Sequence, residues 1–290
     1  MKRTIGALLT MAAVCMTFPT HGWTADTPFD RNKEISVVSR ENGSGTRGAF
    51  IDLFGIEQKG EDGSKKDLTT KEAIIANATD IMMTNIAGSH YAVGYASLGS
   101  LNSTVKAVMI DGAAASSANI KNGSYQVARP FFIATKGELS EPAKDFIAFI
   151  LSAQGQKIVS RDYIAINDKA AEYERSGQHG KVTIAGSSSV TPVMEKLREG
   201  YLALNPEAVI EIQQSDSTSG MTAATNGICD IGMASRELKE SELKALKPVQ
   251  IATDGIAIIV NLKNPVTNLS KDQVKQIFTG KETRWNNVIR

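Results

Sequence analysis

The chain is poor in the residues on which metal binding and acid–base catalysis depend. Of its 290 residues, 2 are cysteine and 3 are histidine. Cys15 lies in an N-terminal apolar segment, which leaves Cys229 as the only cysteine of the remaining chain. No disulfide within that chain and no thiolate zinc cluster can be built from it. Cys229 sits among apolar neighbours in GICDIGMA and reads as a small buried hydrophobe. His90 and His179 stand in no metal-ligand spacing and beside no candidate nucleophile. Neither a metal nor a cofactor is therefore expected. Aromatics make up 6%, no Lys/Arg-rich run occurs, and the formal net charge is +1. That balance excludes the basic surface a nucleic-acid partner requires. Also missing is an apolar run long enough to span a bilayer. The best, Ile5 to Phe18, follows Lys2 and Arg3 and leads into small and polar residues. This is the pattern of a secretory signal peptide, expected over residues 1–25. Val14 before Cys15 is branched where a lipoprotein has a small residue, which argues against a lipid anchor. Export is expected, to a periplasm or to the outer face of the cytoplasmic membrane.

Beyond that segment, short apolar runs alternate with amphipathic ones, the signature of an α/β fold. Strands are expected over 34–39, 92–97, 106–110, 130–135, 181–186, 208–213, 230–235 and 255–261. Helices are expected over 46–55, 69–77, 140–152, 191–204, 218–227, 237–246 and 270–278. The polar stretch 167–181 reads as an exposed connector.

Three stretches share one plan. SRENGSGTRGAF (39–50) sets Arg40 before glycines and hydroxyl residues that open a helix. In KVTIAGSSSVTPVMEKL (181–197) a β-branched strand ends at Gly186, three serines follow, and Pro192 opens a helix. In IQQSDSTSGMTAAT (212–225) a strand leads through Ser215, Ser217, Thr218, Ser219 and Gly220 into a helix. Each alone reads more readily as an ordinary capped helix or serine-rich loop. Helix starts with free N–H groups, hydroxyls and one guanidinium together suit a small oxyanion. In open α/β sheets such loops gather beyond the carboxyl ends of the strands.

These stretches, together with DIGMASREL (230–238), NLSKDQVKQIFTGKETRWNNV (268–288), YQVARPFFIATKG (125–137) and FIAFILSAQGQKIV (146–159), resemble the phosphate-binding proteins of bacterial ABC-type uptake systems. Those are type 2 periplasmic solute receptors. The resemblance covers nearly everything after residue 33. It implies a two-lobed α/β fold with a ligand cleft between the lobes. One lobe would comprise 31–104 plus 258–290 and carry RENGSGT. The other would comprise 107–256 and carry the GSSSV, DSTSG and ASR loops, with crossings near VKAVMI and TDGIAIIV. In that family the GSSSV block comes first and FTGK…W leads into the GSGT motif. The order here resembles a circular permutant, with 167–181 bridging the usual termini.

The resemblance also implies roles. Arg40, Ser44, Gly45 and Thr46 match the best-marked ligand motif, and Asn42 stands where an acidic residue usually orients the arginine. Ser188, Ser189 and the Val190 backbone match the first serine loop, Thr218 or Ser219 the second, and Ser235 with Arg236 the third. Some relatives carry an aspartate at the Arg236 position to accept the proton of hydrogen phosphate, which sulfate lacks. Arg236 is then either a ligand or the partner of a nearby acid. Acceptor candidates are Asp216, Asp254 and Glu41, each also readable as a cap, a hinge residue or a solvated acid. Met82, Met83, Tyr95 and Trp285 read as packing residues, and Arg47 as either near the site or covering the helix.

The implied function is a non-enzymatic, monomeric receptor that binds inorganic phosphate and docks on an ABC-transporter permease. Its near rivals are receptors for sulfate, molybdate or tungstate. An exported serine hydrolase or phosphatase is a second class, weakened by the lack of a G-x-S-x-G elbow and of a histidine base. An adhesin is a third, and it has no need of three converging donor loops.

Overall fold

The computed structural model describes residues 28–60 and 65–289. The expected signal segment, with Cys15, lies outside the described residues.

The chain opens with β1 (Ser36–Arg40) and α1 (Gly45–Phe54), then a small antiparallel hairpin of β2 (Glu57–Lys59) and β3 (Lys65–Asp67). β4 (Ile74–Ala76), α2 (Thr79–Gly88), β5 (Ala92–Ser97), β6 (Val105–Ala107) and β7 (Met109–Ile110) follow, with α3 (Ser117–Lys121) beyond them. The second region holds β8 (Ala128–Thr135), α4 (Glu141–Leu151), α5 (Ala153–Val159), β9 (Gly180–Ser187), α6 (Thr191–Leu204), β10 (Ala208–Ser215), α7 (Ser217–Thr225), β11 (Ile231–Ala234) and α8 (Glu240–Leu243). β12 (Lys247–Asn261) returns to the first region, where β13 (Asn268–Leu269) and α9 (Lys271–Phe278) complete it.

One strand joins two sheets. Over Lys247–Gly255, β12 pairs antiparallel with β8, and over Ile256–Val260 it pairs antiparallel with β5. The strand order runs β10-β9-β11-β8-β12-β5-β1-β4, with β6 also on β12. Separate cores lie on either side. Phe50, Tyr95, Phe278 and Trp285 anchor one, and Phe131, Phe146, Phe149 and Tyr201 anchor the other. Cys229 is buried beside Met221 and Leu246 in the second region, as its neighbours in sequence suggested. Burial pushes its thiol pKa up.

Two expectations change. Residues 69–77 form no helix; Ile74–Ala76 is instead the edge strand β4, parallel to β1, and the helix starts at Thr79. KEAIIA has helical periodicity, but pairing with β1 overrides it. The expected lobe boundary at 104–107 also moves. Val108, Ile110, Tyr125 and Val127 pack into the first core, so the chain crosses between Val127 and Arg129. Opposite, Asp254 is the register partner of Arg129. These two residues, both buried, form an ion pair of 3.0 Å where the two crossing strands meet.

The connector carries no helix or strand over 167–179, yet it is tied down. The Ala153 N–H donates to the Ala171 carbonyl (2.8 Å), and the Tyr173 hydroxyl donates to Asp145 (2.6 Å).

Candidate functional site

Three strands, β1 on one side and the parallel pair β9 and β10 on the other, end in loops that open helices, and these ends converge at the seam between the two cores. Ser44 caps α1 by accepting the Arg47 N–H (3.3 Å). The first-turn N–H groups of Gly45 and Thr46 therefore have no intrahelical partner, as helix geometry requires. Pro192 lies in the first turn of α6, and Asp216 caps α7.

Arg40 is 2% exposed at the end of β1. A buried guanidinium needs its charge balanced and its donors filled. Glu41 does the first with a two-pronged contact, Nη2 to Oε1 at 2.7 Å and Nε to Oε2 at 2.8 Å. The Ala76 carbonyl accepts from Nε (3.1 Å) and Thr79 Oγ1 from Nη1 (3.3 Å). Across the seam, Nη2 donates to Ser188 Oγ at 3.0 Å. The acid that orients Arg40 is thus Glu41, while Asn42, expected in that place, is exposed. Beneath, the Tyr95 hydroxyl bonds Ser39 Oγ (2.9 Å) and accepts the Arg40 N–H (3.1 Å), while its ring stacks on Phe50 at 3.9 Å. Tyr95 thus packs, as its sequence context suggested, and also props the arginine. Arg47 pairs with Asp67 and donates to the Arg40 carbonyl.

The other loops bring neutral hydroxyls. Thr46 Oγ1 and Ser189 Oγ, from opposite sides, lie 2.8 Å apart. Thr79 Oγ1 lies 3.3 Å from Ser188 Oγ and 3.1 Å from Ser189 Oγ. Ser187 Oγ donates to Ser235 Oγ (2.9 Å), and the Ser235 N–H donates to Ser217 Oγ (3.1 Å). Glycine makes the close approach possible. A Cβ on Gly45 would meet Ser217 Oγ at 2.4 Å and Ser235 Oγ at 2.8 Å, and one on Gly43 would meet Asp216 Oδ1 at 2.2 Å. The Thr218 N–H and hydroxyl both donate to the Gly43 carbonyl at 3.2 Å. The seam is closed.

The structure thus brings together Arg40, Ser44, Gly45, Thr46, Ser188, Ser189 and Ser235, and it sets Thr218 on the seam. Ser219 is not among them: it is exposed, and its hydroxyl donates to Asp216 (2.6 Å) as part of the α7 cap. The Val190 side chain is buried in the second core and its N–H donates to the Ser187 carbonyl (2.9 Å), so the turn itself uses that donor. Arg236 gives its fork to Glu242, at 2.8 Å from each terminal nitrogen. As acceptors, Asp216 is engaged as the α7 cap, and Asp254 is engaged by Arg129 and shares no bond with the hydroxyl cluster. Burial raises the Asp254 pKa, and Arg129 opposes that rise.

Sequence reasoning missed Thr79, and it left Ser187 and Ser217 out of the site although both stand in the quoted motifs. The mark for Thr79 was a Thr-Asp pair opening a helix after NA; reading the helix ten residues early hid it. His90 lies at the start of β5, the end remote from Arg40, and His179 is exposed in the connector. Between the lobes, past Arg236, lies a cavity of 810 Å³ lined by Ala49, Leu53, Arg129, Arg236 and Leu238. Its walls offer no comparable set of hydroxyl and N–H donors, so the hydroxyl cluster is the candidate site. Among the described residues, no group of three or more His, Cys, Asp or Glu is placed to hold a metal ion. None of their helices is long and apolar enough to cross a membrane.

Two α/β lobes hinged on paired crossing strands, with donor loops from both meeting at the seam, define a two-lobed ligand-binding protein. A family model described as the PBP superfamily domain matches residues 16–154 and 171–289, and the chain belongs to that superfamily. It is 52% identical over 271 residues to the phosphate-binding protein PstS 2 of Streptococcus agalactiae, covering 93% of this chain and 92% of that one. The phosphate-binding protein PstS 2 of Streptococcus pneumoniae is 44% identical, over 88% of this chain and 87% of its own. A crystal structure of a phosphate-binding protein of a phosphate ABC transporter from Streptococcus pneumoniae superposes with a TM-score of 0.69 at 43% identity. It covers 88% of this chain and 99% of that one.

Proposed function

We propose that this protein is an exported receptor that binds inorganic phosphate in the seam between its lobes and delivers it to an ABC-type permease. The observation that carries the reading is the pair of cross-lobe contacts, Arg40 to Ser188 at 3.0 Å and Thr46 to Ser189 at 2.8 Å. Groups from both lobes touch at the same spot, so an anion bound there favours the closed state over the open one. One guanidinium, several hydroxyls and helix-start N–H groups suit a compact tetrahedral dianion. Charge-assisted hydrogen bonds contribute about 1.5–3 kcal/mol each, so a few suffice for micromolar or tighter binding. The relatives named as phosphate-binding proteins support phosphate over sulfate, molybdate and tungstate.

Export is supported by the signal-like residues 1–25, and a monomeric state by the family likeness. The two lobes comprise residues 31–127 plus 256–289 and residues 128–255. The permuted order is supported by the pairing of the stretch 33–35 with 283–285: the Ile35 N–H donates to the Thr283 carbonyl (2.8 Å) and the Trp285 N–H to the Lys33 carbonyl (3.3 Å). Binding without turnover is supported by the described residues, among which no histidine stands near the serines to act as a base.

Calorimetric titration of the exported form with phosphate, sulfate, arsenate and molybdate tests the reading. Phosphate is expected to bind and to raise the melting temperature, while sulfate at equal concentration does neither. Equal responses to both would overturn the specificity, and turnover of phosphoesters would overturn the receptor.

A further inference from the structure

Arg236 stands beside the hydroxyl cluster, yet its charge is directed away from it. Its two terminal nitrogens meet the two oxygens of Glu242, both at 2.8 Å. Glu242 is itself fixed, since it accepts the Lys239 N–H (2.8 Å) at the start of α8. Bonded in this way, the guanidinium is neutralised and cannot swing toward an anion without leaving a carboxylate behind. Two more N–H bonds are made: Nη1 donates to the Glu237 carbonyl (2.9 Å) and Nη2 to Thr218 Oγ1 at 3.2 Å. A hydroxyl that accepts one bond turns its own hydrogen to another partner. Here that partner is the Gly43 carbonyl of the opposite lobe, 3.2 Å away, which also accepts the Thr218 N–H. The stem of Arg236 adds to the same seam. Its Cγ lies 3.1 Å from where a Gly45 Cβ would stand, and its Cδ lies 3.8 Å from that of Gly48.

We propose that Arg236 is a positioning residue for closure: anchored by Glu242, it sets the Thr218 hydroxyl that grips the first lobe, and it does not bind the anion. The proposal rests on the reading of the seam as a phosphate site. It assigns a selectable part of the affinity to a contact outside the donor cluster. Because that contact exists only in the closed state, its loss speeds release and leaves capture nearly unchanged. Selectivity among oxyanions stays as it was, since the donors facing the anion are untouched.

The test uses Arg236→Lys, Arg236→Ala, Glu242→Gln, Thr218→Val and the double variant Arg236→Ala with Thr218→Val. Phosphate binding and release are followed by stopped flow, with the ligand-free melting temperature as a check on folding. Spin labels placed at the exposed positions Lys71 and Glu199 report the distance between the lobes, with and without phosphate. Release is expected to rise about 3- to 10-fold in Arg236→Ala, the scale of one or two net hydrogen bonds. Glu242→Gln should weaken binding as well, and the double variant should be no worse than the stronger single one. If Arg236 were a ligand, Glu242→Gln would free its charge and tighten binding; that result, or additive losses in the double variant, overturns the proposal. A wild type that reaches the short interlobe distance without binding phosphate overturns only the phosphate reading, and the short-distance population in the variants then decides the latch. A wild type that does neither overturns both.

Discussion

The two lobes bring unlike chemistry to one seam. The first contributes a cation, Arg40, already matched by Glu41, together with a helix start and the hydroxyls of Thr46 and Thr79. The second contributes neutral hydroxyls from Ser187, Ser188, Ser189, Ser217 and Ser235, and its own Arg129 and Arg236 touch the seam, at the Ser235 carbonyl (3.1 Å) and Thr218 Oγ1 (3.2 Å), with their charges matched by acids. Arg129 is tied to Asp254 at the hinge and Arg236 to Glu242 at the rim. Every arginine near the seam therefore has a carboxylate partner. The difference teaches that this site does not rely on a strong positive field. Charge is supplied once, from one side, and closure adds short neutral donors from the other. On the proposed reading, such an arrangement would recognise an anion by the number and direction of its hydrogen bonds, which distinguishes oxyanions better than charge alone.

The largest expected effect removes the charged side. Arg40→Ala takes away the guanidinium and leaves the Glu41 carboxylate facing the anion without a counter-charge. Two lost charge-assisted bonds of about 1.5–3 kcal/mol each correspond to roughly a 100- to 10,000-fold weaker affinity. Calorimetry with phosphate checks it. A loss under tenfold would mean that the hydroxyl lobe carries the affinity unaided, and the contrast between the lobes would fail.

Blocking closure comes next. A side chain at Gly45 collides with Ser217 and Ser235, at 2.4 and 2.8 Å, while α1 itself tolerates it. Gly45→Val should therefore leave each lobe folded and hold the pair apart. Overpacking costs of about 1–3 kcal/mol translate to a loss of roughly 10- to 100-fold. Scattering in the presence of phosphate should show the variant more extended than the wild type; equal radii would mean that the seam closes without the glycine.

How far these residues could be read from sequence follows a physical line. The strand at Ala92–Ser97 and the helix at Thr191–Leu204 match their expected bounds, because each carries a full period of its pattern and a clear stop. The serine loops were legible for a similar reason, since small hydroxyl residues between a strand and a helix are a local mark. What escaped depends on partners distant in sequence. Ile74–Ala76 is a strand only because β1 lies beside it, and Thr79 enters the site only because that strand turns into α2. Glu41 and Asn42 are neighbours, and side-chain geometry alone selects the one that meets Arg40. The Arg129–Asp254 pair joins residues 125 apart, visible only once the crossing strands are in register.

A smaller change sharpens the contrast among the neutral donors. Thr79 and Ser219 were treated oppositely by sequence and by structure, so they make a matched pair. Thr79→Val removes a buried hydroxyl that meets Arg40, Ser188 and Ser189, and should weaken phosphate binding about 3- to 10-fold. Ser219→Ala removes only an exposed partner of the Asp216 cap, and the affinity should not move. The same calorimetric titration reads both, and a larger loss at Ser219 would return it to the site.

The smallest expected effect concerns pH and the rim of the second lobe. Burial raises the Glu242 carboxyl, but hydrogen bonds from Arg236 and the Lys239 backbone more than offset that and hold it below its ordinary value. A carboxyl depressed in the folded state stabilises it above the unfolded pKa and ceases to do so as pH falls through the folded one. The gain is therefore complete at neutral pH and disappears only in acid, below the usual carboxylate range. In ligand-free protein, wild type should melt about 1–3 °C above Glu242→Gln at pH 7, on the scale of one partly exposed ion pair in a chain of this size. That gap should stay constant down to about pH 5 and close below about pH 4. A gap that instead opened on acidification would place the proton on another group and detach Glu242 from Arg236. Because the anchor keeps its charge throughout the neutral range, a change in phosphate affinity between pH 6 and 8 does not come from the Arg236–Glu242 pair.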